Sequence, residues 1–91
     1  MTQMTQHAQA RMQQRGITMQ TVECLLDVGA VAYDHRGATI VYFDKKAKSR
    51  LQRNGGRQKY VAMEKQLNAY AVVGQDGAVV TVGRRDRRIP R

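Results

Sequence analysis

Two helix patterns, one directly after the other, constrain the fold of this chain more than any other feature. Thr5 is a good N-cap for a first helix of about eleven residues that Gly16 ends, and Thr18 begins a second helix that closes at Gly29. Apolar residues recur at the helical period on one face of each: Met4, Ala8 and Met12 in the first, and Met19, Val22, Leu25 and Leu26 in the second. The result is a helical hairpin whose apolar faces need a partner.

A β-sheet is the predicted partner. Strands are expected where β-branched and aromatic residues lie between turn signals: Val31–Tyr33, Ala38–Phe43, Tyr60–Met63, Asn68–Val73 and Ala78–Val82. Asp34–Gly37, which contains His35, is predicted as a tight turn, and Gln75–Gly77 predicts the clearest hairpin. The predicted fold is therefore α+β, with the helical hairpin packed on a mainly antiparallel, curved sheet of four or five strands.

Two basic segments interrupt this pattern. Asp44–Lys59 carries seven basic residues against one acid around an Asn-Gly-Gly turn signal, which predicts either a short helix plus loop or a long mobile loop. Gly83–Arg91 carries five Arg and one Asp, and is expected to continue the last strand outward and fray, leaving a flexible basic tail at 84–91. With 91 residues, the chain is expected to form one domain over 1–91.

The charge indicates a polyanionic partner. The net charge is +9, and the 16 basic residues include 11 Arg, which favours recognition of phosphate or carboxylate in a nucleic acid or an acidic protein. Cys24 is the single cysteine, which fits a reduced cytoplasm, and no apolar run suggests an export signal or a membrane span. The two His and the seven scattered acids show no ligand spacing, so neither a metal nor another cofactor is expected.

His7, Arg11 and Arg15 recur every fourth residue along one edge of the first helix. An imidazole transfers protons near neutral pH, and a guanidinium holds phosphate through two parallel hydrogen bonds. The trio therefore suggests a site that acts on a phosphodiester. The alternative interpretation is a solvated helix face without a chemical role.

The run H-A-x-x-R-M-x-x-R-G-I-T over His7–Thr18, followed by a helix ending in Gly and by hairpins closing in VVTV, resembles small domains grouped with the RelE and ParE toxins. The resemblance covers nearly the whole chain and implies two helices on an antiparallel sheet. Several such proteins are metal-independent ribonucleases, often acting on the ribosome, whereas ParE-type proteins act on gyrase. RelE-like sites lie on the sheet, with basic residues near the ends of the last strands, here Arg84 and Arg85. Many lack a helix histidine, and this chain departs from them in having His7.

The leading hypothesis is an endoribonuclease toxin, neutralised by an acidic antitoxin, that cuts RNA through the RNA's own 2′-hydroxyl. Its expected catalytic residues are His7, Arg11, Arg15 and Arg84. Tyr42 and Tyr70 are expected to be half-buried sheet residues, and Tyr60 is the tyrosine expected to meet a base. The alternatives are a ParE-type gyrase inhibitor and a non-catalytic module that binds nucleic acid or protein. The predicted nucleic-acid contacts are Lys45, Lys46, Lys48, Arg50, Arg53, Arg57, Lys59, Tyr60 and Arg85.

Overall fold

The computed structural model describes residues 2–33 and 37–85. The predicted α+β class is confirmed: two N-terminal helices are followed by a four-stranded sheet. A third helix lies between the second and third strands of the sequence. In chain order the elements are α1 (Gln6–Arg15), α2 (Met19–Val28), β1 (Ala30–Tyr33), β2 (Thr39–Tyr42), α3 (Lys45–Met63), a short 3₁₀ turn (Glu64–Gln66), β3 (Ala69–Val73) and β4 (Val79–Arg84).

The caps of the first two helices lie where the sequence places them. The Thr5 hydroxyl accepts a hydrogen bond from the Ala8 N–H, and the Thr18 hydroxyl accepts one from the Thr21 N–H. Gly16 ends α1 in the left-handed conformation at φ 65°, which a residue with a side chain rarely adopts. These caps fix the bounds of α1 and therefore the position of its basic edge.

The sheet has the order β1-β2-β3-β4, and each strand pairs antiparallel with its neighbour. A register shift at Val72 and Val73 marks an irregularity in the β3–β4 pairing. The segment before α1 continues the sheet beyond β4, since Met4 bridges Val79 in parallel and the Thr5 N–H donates to the Val79 carbonyl. The start of α1 is thus tied to the start of β4.

The basic middle segment is helical from Lys45, which fits the predicted short helix and not the alternative of a long mobile loop, but no loop follows the helix. The Asp44 carboxylate caps α3 by accepting from the Ala47 N–H at 2.7 Å, and Ala47 and Leu51, four residues apart, are both buried. Gly56, with φ 74° and ψ 172°, interrupts the helix without ending it. The strand predicted at Tyr60–Met63 is also wrong, because these residues continue α3 after the kink.

The hydrophobic core lies between the sheet and the helices. α1 packs along β4, and α2 packs on β2 and β3 and against α3. The largest fully buried side chains include Phe43, Leu25, Met63 and Val22. Thr21 is also fully buried, and its hydroxyl donates a 2.7 Å hydrogen bond to the Gln66 side chain, which joins α2 to the segment that enters β3.

The start of the expected basic tail belongs to the sheet. Gly83 is buried and Arg84 is the last residue of β4, so the last strand continues outward as predicted, and the flexibility expected of 84–91 stays a prediction. Residues 86–91, and the turn residues 34–36 with His35, lie outside the described residues. Within 2–33 and 37–85, none of the helices has the length and apolar content that crossing a bilayer requires.

Candidate functional site

A cavity of about 310 Å³ lies where α1 crosses the end of the sheet. Its wall consists almost entirely of polar surface from three elements, and it is lined by Arg11, Arg15, Tyr70, Thr81, Val82, Gly83 and Arg84. Arg11 and Arg15 reach it together because they lie four residues apart on α1, which packs along β4. Two of the three residues of the predicted stripe therefore meet in one concave site.

Tyr70 contributes an aromatic hydroxyl to the cavity. Ala69 and Ala71 are buried, so Tyr70 between them faces the opposite side of the sheet. It pairs across the strands with Gly83, and a Cβ built on Gly83 would lie 2.7 Å from the Tyr70 hydroxyl oxygen. The ring thus occupies the space that the missing side chain of Gly83 leaves. The sequence predicts Tyr70 as half-buried but not as a site residue, although the alternation in NAYAVV carries the signal.

Arg84 lines the cavity but uses its guanidinium to hold the protein together. Its Nε donates to the Arg15 carbonyl at 2.8 Å and its Nη2 to the Gly16 carbonyl at 3.2 Å. Its Nη1 donates to the Lys65 carbonyl at 2.7 Å and to the Asn68 side-chain oxygen at 3.0 Å. These bonds leave at most one of the five N–H groups of Arg84 for a ligand.

His7 lies on the exposed side of α1, one helical turn before Arg11. It shares the helix edge with the two arginines, as the spacing predicts, but it is not among the residues that line the cavity. A rise of about 6 Å along the helix separates residues that are four apart, such as His7 and Arg11. The catalytic role of His7 stays a prediction.

Arg85 turns onto the opposite face of β4 from Arg84 and contacts β2. Its Nη2 donates to the Phe43 carbonyl at 2.6 Å, and its guanidinium lies 5.2 Å from the centroid of the Tyr42 ring. Tyr42 is only 6% exposed, more buried than the half-buried state that the sequence predicts. One hydrogen bond and the contact with the Tyr42 ring thus hold the Arg85 guanidinium, while its Nε is buried without a hydrogen-bond partner. Its predicted contact with nucleic acid stays a prediction.

The remaining predicted nucleic-acid contacts lie on α3. Five of them are exposed and three, Lys48, Lys59 and Tyr60, are half-buried; the exposed ones are Lys45, Lys46, Arg50, Arg53 and Arg57. Lys59 lies beside Cys24 of α2, where burial raises the pKa of the thiol above its ordinary value of 9.0 although the ammonium of Lys59 acts in the opposite direction. A helix, rather than a mobile loop, therefore presents these charges.

Among residues 2–33 and 37–85, no group of three or more His, Cys, Asp or Glu side chains is placed to hold a metal ion. Comparison of the chain with protein-family models, curated proteins and solved structures gives no match. The resemblance to RelE and ParE toxins accordingly stays a hypothesis that rests on the motif in α1.

Proposed function

We propose that this protein is a metal-independent endoribonuclease of the toxin type, and that the cavity between α1 and β4 is its active site. The observation that carries the proposal is the convergence of Arg11, Arg15 and Tyr70 on one cavity. Two guanidiniums and a phenol in a polar cavity suit a phosphodiester, because they offer positive charge and several directed hydrogen-bond donors.

In the proposed reaction the 2′-hydroxyl of RNA attacks the adjacent phosphorus. The bond to the 5′-oxygen of the next nucleotide breaks, which leaves a 2′,3′-cyclic phosphate and a free 5′-hydroxyl. Arg11 and Arg15 hold the non-bridging oxygens and stabilise the extra negative charge of the pentacovalent state. Arg84 acts through α1, because it fixes the carbonyls of Arg15 and Gly16 that end the helix.

Proton transfer requires one group on each side of the phosphorus. We assign the general base that takes the 2′-hydroxyl proton to His7, which follows the same edge of α1 as Arg11. We assign the acid that protonates the leaving 5′-oxygen to Tyr70, whose phenol lies in the cavity. Such acid–base assistance typically contributes about a hundredfold to ten-thousandfold in rate.

The exposed cations of α3 add further positive charge to the surface of the protein. They supply phosphate contacts that do not depend on base sequence, which fits RNA bound on or off the ribosome. The same charge fits an acidic antitoxin whose carboxylates compete with RNA for Arg11 and Arg15. The toxin role and a cytoplasmic location rest on the resemblance of the α1 motif and on the chemistry of the substrate.

Purified protein incubated with RNA in EDTA, with and without ribosomes, tests the proposal. We expect fragments ending in 2′,3′-cyclic phosphate, and we expect Arg11→Ala and Arg15→Ala each to lower kcat by about a hundredfold. Arg53→Ala is the matched control, since it removes the same charge from an exposed position on α3. We expect that variant to retain kcat.

The other outcomes separate the alternatives. Salt-sensitive binding of RNA and DNA without cleavage in either setting would replace the enzyme with the non-catalytic module, which the exposed cations of α3 also support. Intact RNA together with inhibition of gyrase would point to ParE-type action. Cleavage by the Arg11→Ala and Arg15→Ala variants at the parent rate would move the active site away from the cavity.

A further inference from the structure

The kink in α3 creates a second concave surface. At Gly56 the backbone leaves the helical conformation, with φ 74° and ψ 172°, and the two halves of the helix meet at an angle. A cavity of about 460 Å³ lies at this junction. We call it the α3 notch and define it by the residues that line it: Gln52, Arg57, Tyr60, Val61 and Glu64.

The walls of the α3 notch suit a flat heterocycle. Tyr60 packs partly against the core, so its ring is held in place while it also lines the notch. Val61 beside it is 55% exposed, which leaves apolar surface open to a ligand. An ordered aromatic ring next to aliphatic surface is the usual platform for stacking a nucleobase. The cavity volume also lies in the range of small-molecule sites.

The polar groups of the notch differ from those of the cavity at α1. Arg57 offers donors for a phosphate, whereas Glu64 places a carboxylate at the end of a strongly basic segment. An ionised carboxylate only accepts hydrogen bonds, so it selects a base edge that carries donors. Guanine presents two adjacent donors, N1–H and N2–H, on its Watson–Crick edge, whereas uracil presents a single N3–H.

We infer that the α3 notch binds a guanine base of the RNA and so gives the protein a base preference. Tyr60 stacks on the base, Glu64 accepts from its N1–H and N2–H, and Arg57 contacts the adjoining phosphate. The inference rests on the proposed function in taking RNA as the ligand. It requires only binding and not cleavage.

Fluorescence anisotropy with labelled 2′-O-methyl octamers tests this inference, because the 2′-hydroxyl route cannot cut them. The octamers are all-uridine or carry one central guanosine, adenosine or inosine. We expect the guanosine octamer to bind about tenfold more tightly than all-uridine, with inosine between them because it lacks the 2-amino group. Glu64→Gln should reduce the preference below twofold, and Tyr60→Ala should weaken binding of every octamer. Glu23→Gln on α2 is the control, since it changes an exposed acid outside the notch.

Two results would overturn the inference: equal affinity for the guanosine and uridine octamers, or a guanosine preference that survives Glu64→Gln. Arg11→Ala in the same assay distinguishes this failure from that of the active site. If Arg11→Ala weakens all octamers equally while no guanosine preference exists, the cavity at α1 binds phosphate and the notch does not read bases. If the guanosine preference is present and Arg11→Ala does not change the affinity, guanine binding in the α3 notch is supported and the proposed active site at α1 is contradicted.

Discussion

Arg84 on the last strand donates a 2.8 Å hydrogen bond from its Nε to the carbonyl oxygen of Arg15 at the end of the first helix. The same guanidinium contacts the Gly16 carbonyl, so a positive charge lies at the C-terminus of α1, where the helix dipole favours it. Because the Arg15 side chain lines the cavity, this contact sets the position of a proposed phosphate-binding group.

Replacing Arg84 should therefore cost stability. Arg84→Ala removes charge-assisted hydrogen bonds to two carbonyls of α1, and we expect the free energy of unfolding to fall by about 2 kcal/mol. Arg84→Lys should recover less than half of this, because an ammonium cannot reproduce the planar fork. Urea denaturation at neutral pH measures both. If Arg84→Ala kept full stability but abolished cleavage, Arg84 would be the catalytic residue that the resemblance implies rather than a positioning residue.

Arg11 and Arg15 should contribute to the salt dependence of RNA binding. If Arg11 and Arg15 each neutralise one phosphate, the slope of log affinity for single-stranded RNA against log salt should fall by about 1.4 in the double alanine variant. Arg50→Ala with Arg53→Ala on α3 is the matched comparison and should also reduce the slope. Only the cavity variant should lose kcat, and an equal loss of kcat in both would contradict the assignment of the active site.

The sequence predicts those elements whose signals are local. Thr5, Gly16 and Thr18 mark the ends of α1 and α2 through caps that act within one turn, and Gln75–Gly77 marks the β3–β4 hairpin in the same way. The prediction was right only in part for α3: a helix does begin at Lys45 and the backbone leaves the helical conformation at Gly56, within the Asn-Gly-Gly signal, but the chain is helical again after the kink, where a loop and a strand are predicted. α3 packs against α2, a contact between distant segments that local signals in the sequence do not reveal.

The candidate site was predictable only in part, for the same reason. The spacing of Arg11 and Arg15 fixes a shared helix edge, but which strand lies beside that edge depends on packing between distant segments. Tyr70 and Gly83 meet because of the register of β3 with β4, which includes an irregularity at Val72 and Val73. A single sequence does not state that register.

The contact between Tyr70 and Gly83 leads to a prediction about shape. Gly83→Ala would place a Cβ 2.7 Å from the Tyr70 hydroxyl oxygen, so the ring must move out of its present position. We expect cleavage to fall at least tenfold while far-UV circular dichroism stays unchanged. In a Tyr70→Ala background the same substitution should have almost no further effect on cleavage, which a double-mutant cycle measures. If the two substitutions reduced cleavage additively, Gly83 would affect cleavage independently of the position of Tyr70.

Gly29 leads to a different prediction, because its neighbours are less able to move. A Cβ there would overlap the Leu25 carbonyl oxygen and a methyl group of Val41, where the end of α2 lies against β2. Gly29→Ala should therefore destabilise the protein by about 2 kcal/mol, as overpacking of a core typically does. Urea denaturation measures this loss. Gly77→Ala is a useful comparison, because a Cβ at Gly77 meets no atom within 4 Å and the variant has only the backbone strain of φ 87°. Full stability of Gly29→Ala would show that α2 and β2 separate easily.

The buried thiol of Cys24 makes stability depend on alkaline pH. Burial raises its pKa above 9.0 in the folded protein, so the folded state retains the proton at pH values where the unfolded chain has released it. The contribution of this group to the free energy of unfolding is therefore complete below pH 9.0 and is lost as pH rises through the higher pKa of the folded state.

Urea denaturation at several pH values from neutral to about 10.5 should show a steeper loss of stability for the parent than for Cys24→Ala. The comparison uses the slope of the free energy of unfolding against pH. The stability lost with the smaller side chain is the same at every pH and does not change this slope, and the titration of lysines and tyrosines is common to both proteins. Parallel slopes would mean that the folded protein ionises Cys24 as easily as the unfolded chain does, and that Lys59 offsets the whole effect of burial.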